Sequence, residues 1–235
     1  MNKTDVLIIS DIHLGHASCN AGTLLEFLTN SSFGTLIILG DLFEIGGTIS
    51  DEQFKILEYL RQMRDKIVYI DGNHDPRHEV LVKEIIGVKP IRKYIWDMGG
   101  KRFCAMHGHQ FDKFCFIFSL SLIDKLFSKL ISFLKMIHFE RFSLKRWIDY
   151  YHNKFSDHIA KKAIRYAKRR GFDVMICGHT HVPLELTYRR RKRVIQYFNS
   201  GCLVENQCSY ITIDKDGNVK LHSMTPNEKI AQNVS

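Results

Sequence analysis

Val6-Leu-Ile-Ile-Ser10, followed at once by Asp11-Ile-His13, is the stretch around which the rest of this sequence is organised. A run of Val, Leu and Ile that ends abruptly in polar residues predicts a buried strand leading into a loop. Asp11 and His13 are separated by one residue, so in an extended backbone their side chains would leave from the same face. A carboxylate oxygen and an imidazole nitrogen would then reach one metal ion together. Taken alone this is a weak signal, because Asp-x-His is common in loops.

The same arrangement, an apolar strand ended by polar residues, recurs along the chain. It occurs at Leu36–Leu39 before Gly40-Asp41-Leu-Phe-Glu44, at Ile67–Ile70 before Gly72-Asn73-His74-Asp75, at Arg102–Met106 before His107-Gly-His109, and at Val174–Cys177 before Gly178-His179-Thr-His181. Helical patterns over residues 21–28 and 51–64 separate the first three strands. This alternation with short links predicts an α/β sheet, in which ligands bind beyond the carboxyl ends of the strands.

The helix predicted over residues 51–64 has the clearest sequence signals for its start and for its buried face. Ser50 precedes it as an N-cap, and Phe54, Leu57 and Leu60 recur on one predicted face. We expect that face to pack against the sheet.

The side chains at the strand ends form a ligand set of nitrogen and oxygen atoms without thiolate. Its members are Asp11, His13, Asp41, Asn73, His74, His107, His179 and His181. The set is large enough for two divalent transition-metal ions, which can bind a phosphoryl oxygen and activate water for in-line attack. Asp41 has suitable chemistry to bridge both ions. Any one of these residues alone is more often an ordinary turn or surface residue, but five clusters where an α/β sheet binds ligands favour a metal site.

The alternation stops near residue 110. Residues 111–170 are helical in pattern and lack Gly and Pro, and Gly171 then ends the second helix. Residues 113–170 hold fourteen Lys and Arg against four Asp and Glu, and residues 111–142 hold eight of the sixteen Phe. This composition predicts an amphipathic helical hairpin. It would lie in a membrane interface, line a groove for acyl chains, or pack on the core with its lysines solvated.

The last part of the chain predicts antiparallel strands. Leu184–Tyr188 and Val194–Phe198 flank a basic turn, Arg189-Arg-Arg-Lys-Arg193, and a later hairpin is signalled by Asp216-Gly217. The basic turn is either a simple exposed turn or a contact for phosphates or an anionic membrane. Residues 226–235 are polar and predicted to form a loose tail.

The overall composition is that of a soluble globular protein, with 45% hydrophobic and 25% charged residues. The 235 residues suffice for one large domain or for one domain with an insertion. No apolar run reaches the roughly 18 residues that a spanning helix needs, and the N-terminus lacks the core of a signal peptide. The six cysteines are scattered without a CxxC pair, which is typical of free thiols in a reducing compartment. We therefore expect a cytoplasmic protein.

The strand-end motifs resemble, as a set and in order and spacing, those of the calcineurin-like metallophosphoesterases, over about residues 5–215. The motifs are Asp11-x-His13, Gly40-Asp41, Gly72-Asn73-His74-Asp75, His107-Gly108 and Gly178-His179-Thr180-His181. The resemblance implies an α/β fold in which two mixed sheets form a sandwich flanked by helices. Residues 1–110 and 171–225 would form this core, and residues 111–170 an inserted helical hairpin cap.

The resemblance also implies roles for individual residues. One ion would be held by Asp11, His13, Asp41 and His181, and the other by Asp41, Asn73, His107 and His179. We expect Mn²⁺ at both positions, with Fe, Zn or Mg as alternatives. His74 would not be a ligand but would face the phosphate, where it stabilises the transition state or protonates the leaving oxygen. Glu44 stands where the family keeps an acid that orients this histidine, and a solvated loop glutamate is the alternative.

Longer versions of these motifs, together with Asn199-Ser-Gly-Cys-Leu-Val-Glu205, resemble the UDP-2,3-diacylglucosamine diphosphatases of lipid A synthesis. That resemblance implies hydrolysis of a nucleotide-sugar diphosphate to UMP and an acylated sugar phosphate. Asp112 is then a candidate substrate-binding residue, and Asn153 and Lys154 could approach a substrate head group. The chain departs from that family at two places. Many members carry Arg at the position of His74, and many relatives read Asn-Thr-Gly-Asp-Trp where this chain begins the motif with Asn199-Ser-Gly-Cys-Leu.

The leading hypothesis is therefore a metal-dependent diphosphatase that acts on a nucleotide-linked acyl sugar and contacts the inner membrane peripherally through residues 111–142. The second is a soluble phosphatase or phosphodiesterase for nucleotides or phosphoproteins, with the insertion as a structural cap. A nuclease is the third. The basic segment permits it, but its cations alternate with aliphatic residues, so nucleic acid is not the expected partner. A non-catalytic binding module is disfavoured because every ligand position is filled.

Overall fold

The computed structural model describes residues 4–76, 79–112, 141–191, 193–204 and 208–224 of the chain. Ten strands in these ranges form two five-stranded sheets. The first sheet has the order β10-β9-β1-β2-β3 and consists of β1 (Thr4–Ile9), β2 (Phe33–Leu39), β3 (Ile67–Ile70), β9 (Cys208–Ile213) and β10 (Val219–Met224). The second has the order β4-β5-β6-β8-β7 and consists of β4 (Tyr94–Met98), β5 (Lys101–Ala105), β6 (Val174–Cys177), β7 (Leu184–Arg190) and β8 (Arg193–Asn199).

Both sheets are mixed. In the first, β1, β2 and β3 run parallel, while β9 is antiparallel to β1 and β10 is antiparallel to β9. In the second, β5, β6 and β8 run parallel, and the edge strands β4 and β7 are antiparallel to their neighbours. The carboxyl ends of the parallel strands therefore share one edge in each sheet, as the sequence predicts.

Helices cover the outer faces of the sheets. The first sheet is covered by α1 (Ala21–Asn30), α2 (Asp51–Gln62) and α3 (Glu79–Ile86), and the second by α4 (Arg141–Arg170). Single 3₁₀ turns follow α2 at Arg64–Lys66 and β5 at His109–Phe111. Helix α3 has no counterpart in the sequence prediction.

Strand β1 shows why the core is apolar on both sides. Val6 and Ile8 point into the layer between the sheets, where they pack with Phe103 of β5. Leu7 and Ile9 point the other way, into the layer under the helices. Because successive side chains of a strand alternate between faces and both faces are covered, all four buried positions of β1 are apolar. The predicted sandwich of two mixed sheets flanked by helices is confirmed.

Helix α2 begins as predicted, but its buried face is displaced by one position. The Ser50 side chain accepts from the N–H of Gln53 at 3.3 Å, and Oε1 of Gln53 accepts from the N–H of Ser50 at 3.1 Å, which completes a capping box. The buried stripe runs through Ile56, Leu57 and Leu60. The placement of Phe54 on this face is wrong, because its side chain lies just beyond the stripe and is 54% exposed.

Helix α4 is the described helical part of the predicted insertion. It ends at Arg170, and Gly171 follows with a φ of +81° and donates its N–H to the carbonyl of Ala167 at 2.9 Å. This is the predicted glycine C-cap. Residues 113–140, which include the first predicted helix and most of the Phe-rich segment, lie outside the described residues. The division into core, cap and tail stays a prediction. No helix in the described ranges is both long and apolar enough to cross a membrane.

The exposure difference within α2 leads to a stability prediction. We expect Leu60→Ala to lower the free energy of unfolding by about 2–5 kcal/mol, because it removes buried methyl groups and leaves a cavity. Phe54→Ala should change it by about 0.5 kcal/mol or less, since that ring is largely solvated. Urea unfolding followed by circular dichroism measures both. A large loss for Phe54→Ala would mean that the ring is buried in solution.

Candidate metal centre

The loops after β1, β2, β3, β5 and β6 meet at the shared carboxyl edge of the two sheets. Three groups of side chains there bring ligand atoms within 4.8 Å of one another. The groups are Asp11, His13 and His181; Asp41, His107 and His179; and His13, Glu44 and His74. The first two groups draw on both sheets, and each contains three of the four residues of one ligand set that the resemblance implies. Asn73 adjoins the second, with its Oδ1 3.2 Å from Nε2 of His107.

The backbone of this site is held in an unusual conformation. In the described ranges six residues other than glycine have a positive φ, and five of them are predicted ligands with φ between 51° and 70°: Asp11, His13, Asp41, His179 and His181. The left-handed region is unfavourable for side chains with a Cβ and is tolerated where the surroundings enforce it. The expectation that Asp11 and His13 converge from an extended backbone is therefore wrong. They converge because the loop coils, with the N–H groups of Ile12 and His13 both donating to the carbonyl of Asp41 at 3.0 Å.

The first group is organised around Asp11. Its Oδ2 accepts from the hydroxyl of Ser10 at 2.5 Å and from the N–H of His179 at 3.0 Å. Its Oδ1 is buried, accepts no hydrogen bond from the described residues, and lies 3.1 Å from Nε2 of His181. Nε2 of His181 is in turn 3.2 Å from Nε2 of His13. One carboxylate oxygen is thus fixed by donors, while the other points at two imidazole nitrogens.

The second group is organised around Asp41. Its Oδ1 accepts from the N–H of His74 at 2.8 Å, and its Oδ2 lies 3.2 Å from Nε2 of His107. Nδ1 of His107 lies 2.8 Å from the carbonyl oxygen of Leu39. Because a carbonyl only accepts, Nδ1 carries the proton, and in the neutral ring Nε2 presents its lone pair to Asp41 and Asn73.

These contacts fit divalent cations. Nε2 of His107 faces a carboxylate oxygen and an amide oxygen, and the facing Nε2 atoms of His13 and His181 are two potential lone pairs. Acceptors come this close only when a proton or a metal ion lies between them. Nδ1 of His13 is 2.7 Å from Oε2 of Glu44, an arrangement that directs Nε2 toward a metal. The set contains nitrogen and oxygen donors and no thiolate, which suits Mn²⁺, Fe²⁺ or Zn²⁺.

The pKa shifts of the histidines in the site also indicate that positive charge is favoured there. Burial lowers the pKa of His107, but the adjacent Asp41 carboxylate outweighs it and raises the pKa to about 10. Burial likewise opposes protonation of His181, yet Asp11 beside it raises the pKa to about 11. Burial and the charge of His107 together lower the pKa of His179 to about 4. These shifts show that positive charge between the carboxylates and imidazoles is favoured, as a bound cation would supply it.

Asp75 fixes the two loops that present Asp41 and Asn73. Its Oδ2 accepts from the N–H groups of Asp41 at 2.9 Å and Gly72 at 2.7 Å, and its Oδ1 accepts from the N–H of Phe43 at 3.1 Å. Sequence reasoning assigned no role to this residue. A buried carboxylate that accepts three backbone N–H groups holds turns that would otherwise leave those donors unpaired.

Glu44 connects the two candidate roles in the site. One carboxylate oxygen lies 2.7 Å from Nδ1 of His13, and the other lies 3.2 Å from Nδ1 of His74. The carboxylate of Glu44 thus lies against both His74 and the candidate ligand His13, and its role as the acid that orients His74 stays a prediction. The His74 side chain is 39% exposed, so it faces the opening of the site.

The three candidate substrate-binding residues lie in different surroundings. Asp112 is 7% exposed and its Oδ2 is 3.5 Å from Nε2 of His179, so it lies beside a predicted ligand. Asn153 and Lys154 are exposed on α4, and Nζ of Lys154 lies 4.5 Å from the centre of the Tyr150 ring. Contact of these three residues with substrate stays a prediction.

Helix α4 is joined to the site by the residues that follow Lys154. The Phe155 ring lies 5.9 Å from the His179 ring, and Oγ of Ser156 is 3.1 Å from Oγ1 of Thr180. The amide of Asn199 donates to the carbonyl of Gly178 at 2.6 Å. These supports come from distant parts of the chain, and no local pattern in the sequence signals them.

The two sheets form a sandwich, and two groups of His and Asp side chains lie at its carboxyl edge. This combination defines a metal-binding α/β protein. Residues 4–183 match the calcineurin-like phosphoesterase family, and the chain belongs to this family. No curated protein matches the chain.

Several solved structures are similar to this chain. YfcE, a phosphoesterase from E. coli, is 17% identical, with 94% of this chain and 99% of that chain covered and a TM-score of 0.50. A novel archaeal phosphodiesterase is 14% identical, with 93% and 99% covered and a TM-score of 0.50. Vps29 from Entamoeba histolytica in complex with zinc is 18% identical, with 94% and 98% covered and a TM-score of 0.45. At these identities the similarity concerns the fold alone.

The close approach at Gly72 leads to a prediction for metal binding. A Cβ at this position would collide with Oδ1 and the backbone nitrogen of Asp41. We therefore expect Gly72→Ala to displace Asp41 and weaken Mn²⁺ binding by about 10- to 100-fold, as measured by isothermal titration calorimetry.

Gly22→Ala is the matched control. A Cβ at Gly22 in α1 meets nothing within 4 Å, so Mn²⁺ affinity should stay unchanged while the free energy of unfolding rises by about 0.5–1 kcal/mol. Unaltered Mn²⁺ binding in folded Gly72→Ala protein would show that Asp41 is not a ligand.

Proposed function

We propose that the chain is a dinuclear metal-dependent phosphoesterase. The observation that carries this proposal is the convergence of two ligand groups, from both sheets, at the carboxyl edge of the sandwich. In the proposed centre one ion is held by Asp11, His13, Asp41 and His181, and the other by Asp41, Asn73, His107 and His179. Two ions bound there, which we propose to be Mn²⁺, would make a water molecule nucleophilic and neutralise charge on the phosphoryl group.

His74 is the proposed general acid. Its backbone N–H is fixed on Asp41, and its ring is fixed by Glu44, so the imidazole is held beside the ligands without having to be one. A hydrogen bond from Nδ1–H to Glu44 would direct Nε2 toward the opening of the site. There it donates a proton to the leaving oxygen as the bond from phosphorus to that oxygen breaks.

The proposed substrate is a nucleotide-linked acyl sugar, UDP-2,3-diacylglucosamine. Water would attack one phosphorus of the diphosphate, and the phosphoanhydride would break to give UMP and acylated glucosamine 1-phosphate. Support comes from the longer sequence motifs and from the Phe- and Lys-rich composition of residues 111–142, which suits acyl chains. Asp112 at the start of that segment lies against His179, so the segment begins beside the proposed centre.

The role of His74 leads to a kinetic prediction. We expect His74→Ala to lower kcat by about 10²- to 10⁴-fold, because a positioned proton donor contributes that much to catalysis. Its metal content, measured by elemental analysis, should equal that of the unmodified chain. The kcat of the variant should depend on the leaving-group pKa more steeply than that of the unmodified chain. Loss of metal together with activity would instead make His74 a ligand.

The substrate is tested by comparing three compounds with Mn²⁺ present. We expect UDP-2,3-diacylglucosamine in detergent micelles to be hydrolysed with the highest kcat/KM, followed by a soluble chromogenic phosphodiester and by UDP-N-acetylglucosamine, which shares the head group without the acyl chains. The Asp41→Ala variant should be inactive on all three. If the chain cleaved the chromogenic ester efficiently but did not hydrolyse the lipid, the proposed phosphoesterase activity would stand and the proposed lipid substrate would be rejected.

A further inference from the structure

The cations of helix α4 form a surface that the metal centre does not use. The helix contains ten Lys and Arg and only two acidic residues, Asp149 and Asp157. Its buried side includes Ala160, Ala163 and Ala167, which pack on the second sheet. The positive charge is therefore concentrated on the outward side of one layer of the sandwich.

These exposed cations are aligned along the helix. Lys161, Arg165 and Lys168 recur at intervals of four and three residues, which places them on one face, and all three are exposed. Arg169, four residues after Arg165, extends this face and is also exposed, while Arg170 is exposed at the helix end. Cations near a helix C-terminus stabilise the helix dipole. That effect reaches only the last turn and does not account for Lys161 and Arg165.

A second basic segment is attached to the same place. The Arg193 guanidinium at the start of β8 donates to the carbonyl of Lys168 at 2.7 Å and to that of Ala167 at 3.3 Å. The hairpin turn between β7 and β8 is thereby joined to the end of α4, and its Arg189, Arg190 and Arg191 are exposed. Two segments that are distant in sequence thus form one basic surface.

The carboxylates in the described ranges do not form ion pairs with this surface. The exposed cations of the helix face and the hairpin form no salt bridge with a described Asp or Glu. The chain has a net charge of +9, and an uncompensated single-sign surface attracts anionic partners. An extended anionic partner is the ligand that this surface fits.

We infer that this surface binds the anionic face of a phospholipid bilayer. The cations lie along the outer side of a helix, which can rest on a plane. The same helix carries Tyr150, which is 50% exposed and suited to the head-group level. Its sequence is preceded by the Phe-rich segment, so basic and aromatic residues follow one another as in interfacial helices.

Nucleic acid fits the same charges less well. Sequence-independent binding of single strands needs aromatic rings whose faces are open for stacking. Here Nζ of Lys168 covers the Tyr188 ring at 6.0 Å, and the Arg170 guanidinium covers the Tyr166 ring at 5.9 Å. The surface also ends at the amino edge of the sheet, fifteen residues and roughly 22 Å along α4 from Phe155, which contacts the metal centre.

The test is co-sedimentation of the full chain with vesicles of phosphatidylcholine alone or mixed equally with phosphatidylglycerol. We expect binding to the mixed vesicles only, falling as salt is raised. The triple variant Arg165→Gln, Arg169→Gln and Arg190→Gln should reduce the partition coefficient by about 100-fold, since each cation near an anionic surface is worth roughly five-fold. Hydrolysis of a soluble ester by the same variant should be unchanged.

The matched control removes three exposed cations from the opposite face of the sandwich, by Lys55→Gln, Lys66→Gln and Lys83→Gln. It lowers the net charge equally and should leave vesicle binding unchanged. If both triple variants lost vesicle binding equally, net charge alone would explain the effect and the inference would be overturned. Full vesicle binding by the first variant would also overturn it. Preference for a short RNA or DNA duplex over vesicles at matched phosphate would overturn it in favour of nucleic acid. These readouts are independent of whether the proposed reaction occurs.

Discussion

The close packing of two carboxylates and five imidazole rings at the carboxyl edge of the sheets is the constraint on which the rest of the structure depends. Asp11 and Asp41 lie among five imidazole rings in a site closed to solvent on most sides, and the charge of each carboxylate disfavours ionisation of the other. The field of the imidazoles nevertheless holds the pKa of both carboxyls below its ordinary value despite their burial. Such a cluster is stable only with positive charge inside it, supplied by protons on His107 and His181 or by bound cations.

Holding this cluster together requires a rigid frame. Each left-handed residue other than glycine costs on the order of 1–3 kcal/mol and persists only where packing and hydrogen bonds enforce it. The two sheets supply that enforcement, because strand β1 is buried on both faces and fixes the position of the first turn after it. Asp75 and Ser10 then tie the loops to one another through backbone donors and a hydroxyl chain. The strained backbone at the ligands thus depends on the regular strands that hold it in place.

The sequence was sufficient to predict features that depend on local periodicity. Strand β3 and strand β6 have the predicted boundaries, because short apolar runs ended by Gly and polar residues leave little freedom. The ligands could be identified because the carboxyl edge of an α/β sheet gathers polar residues that are distant in the chain.

Other features depend on tertiary contacts that periodicity does not encode. The side of α2 that is buried is set by the tilt of the helix on the sheet, so a one-position displacement exposes Phe54. The coiled path from Asp11 to His13 is set by the carbonyl of Asp41, thirty residues away in sequence. The roles of Asp75 and Asn199 likewise follow from backbone N–H and carbonyl groups that only the folded loops bring near. A pattern of residue types identifies the participants in such a site, whereas their conformation follows from the contacts among them.

Helix α4 relates the chemistry of the site to the surface of the molecule. Its Phe155 and Ser156 contact His179 and Thr180, so the helix supports, from outside the sheet, the loop that carries the candidate ligand His179. Its far end is joined to the β7–β8 hairpin by Arg193 and carries much of the exposed positive charge. Because one continuous helix makes both contacts, any partner that holds its outer face also fixes the direction in which the metal centre opens. The orientation of the centre toward a large or membrane-bound phosphoester would then be set by the long axis of this helix rather than by the metal ligands.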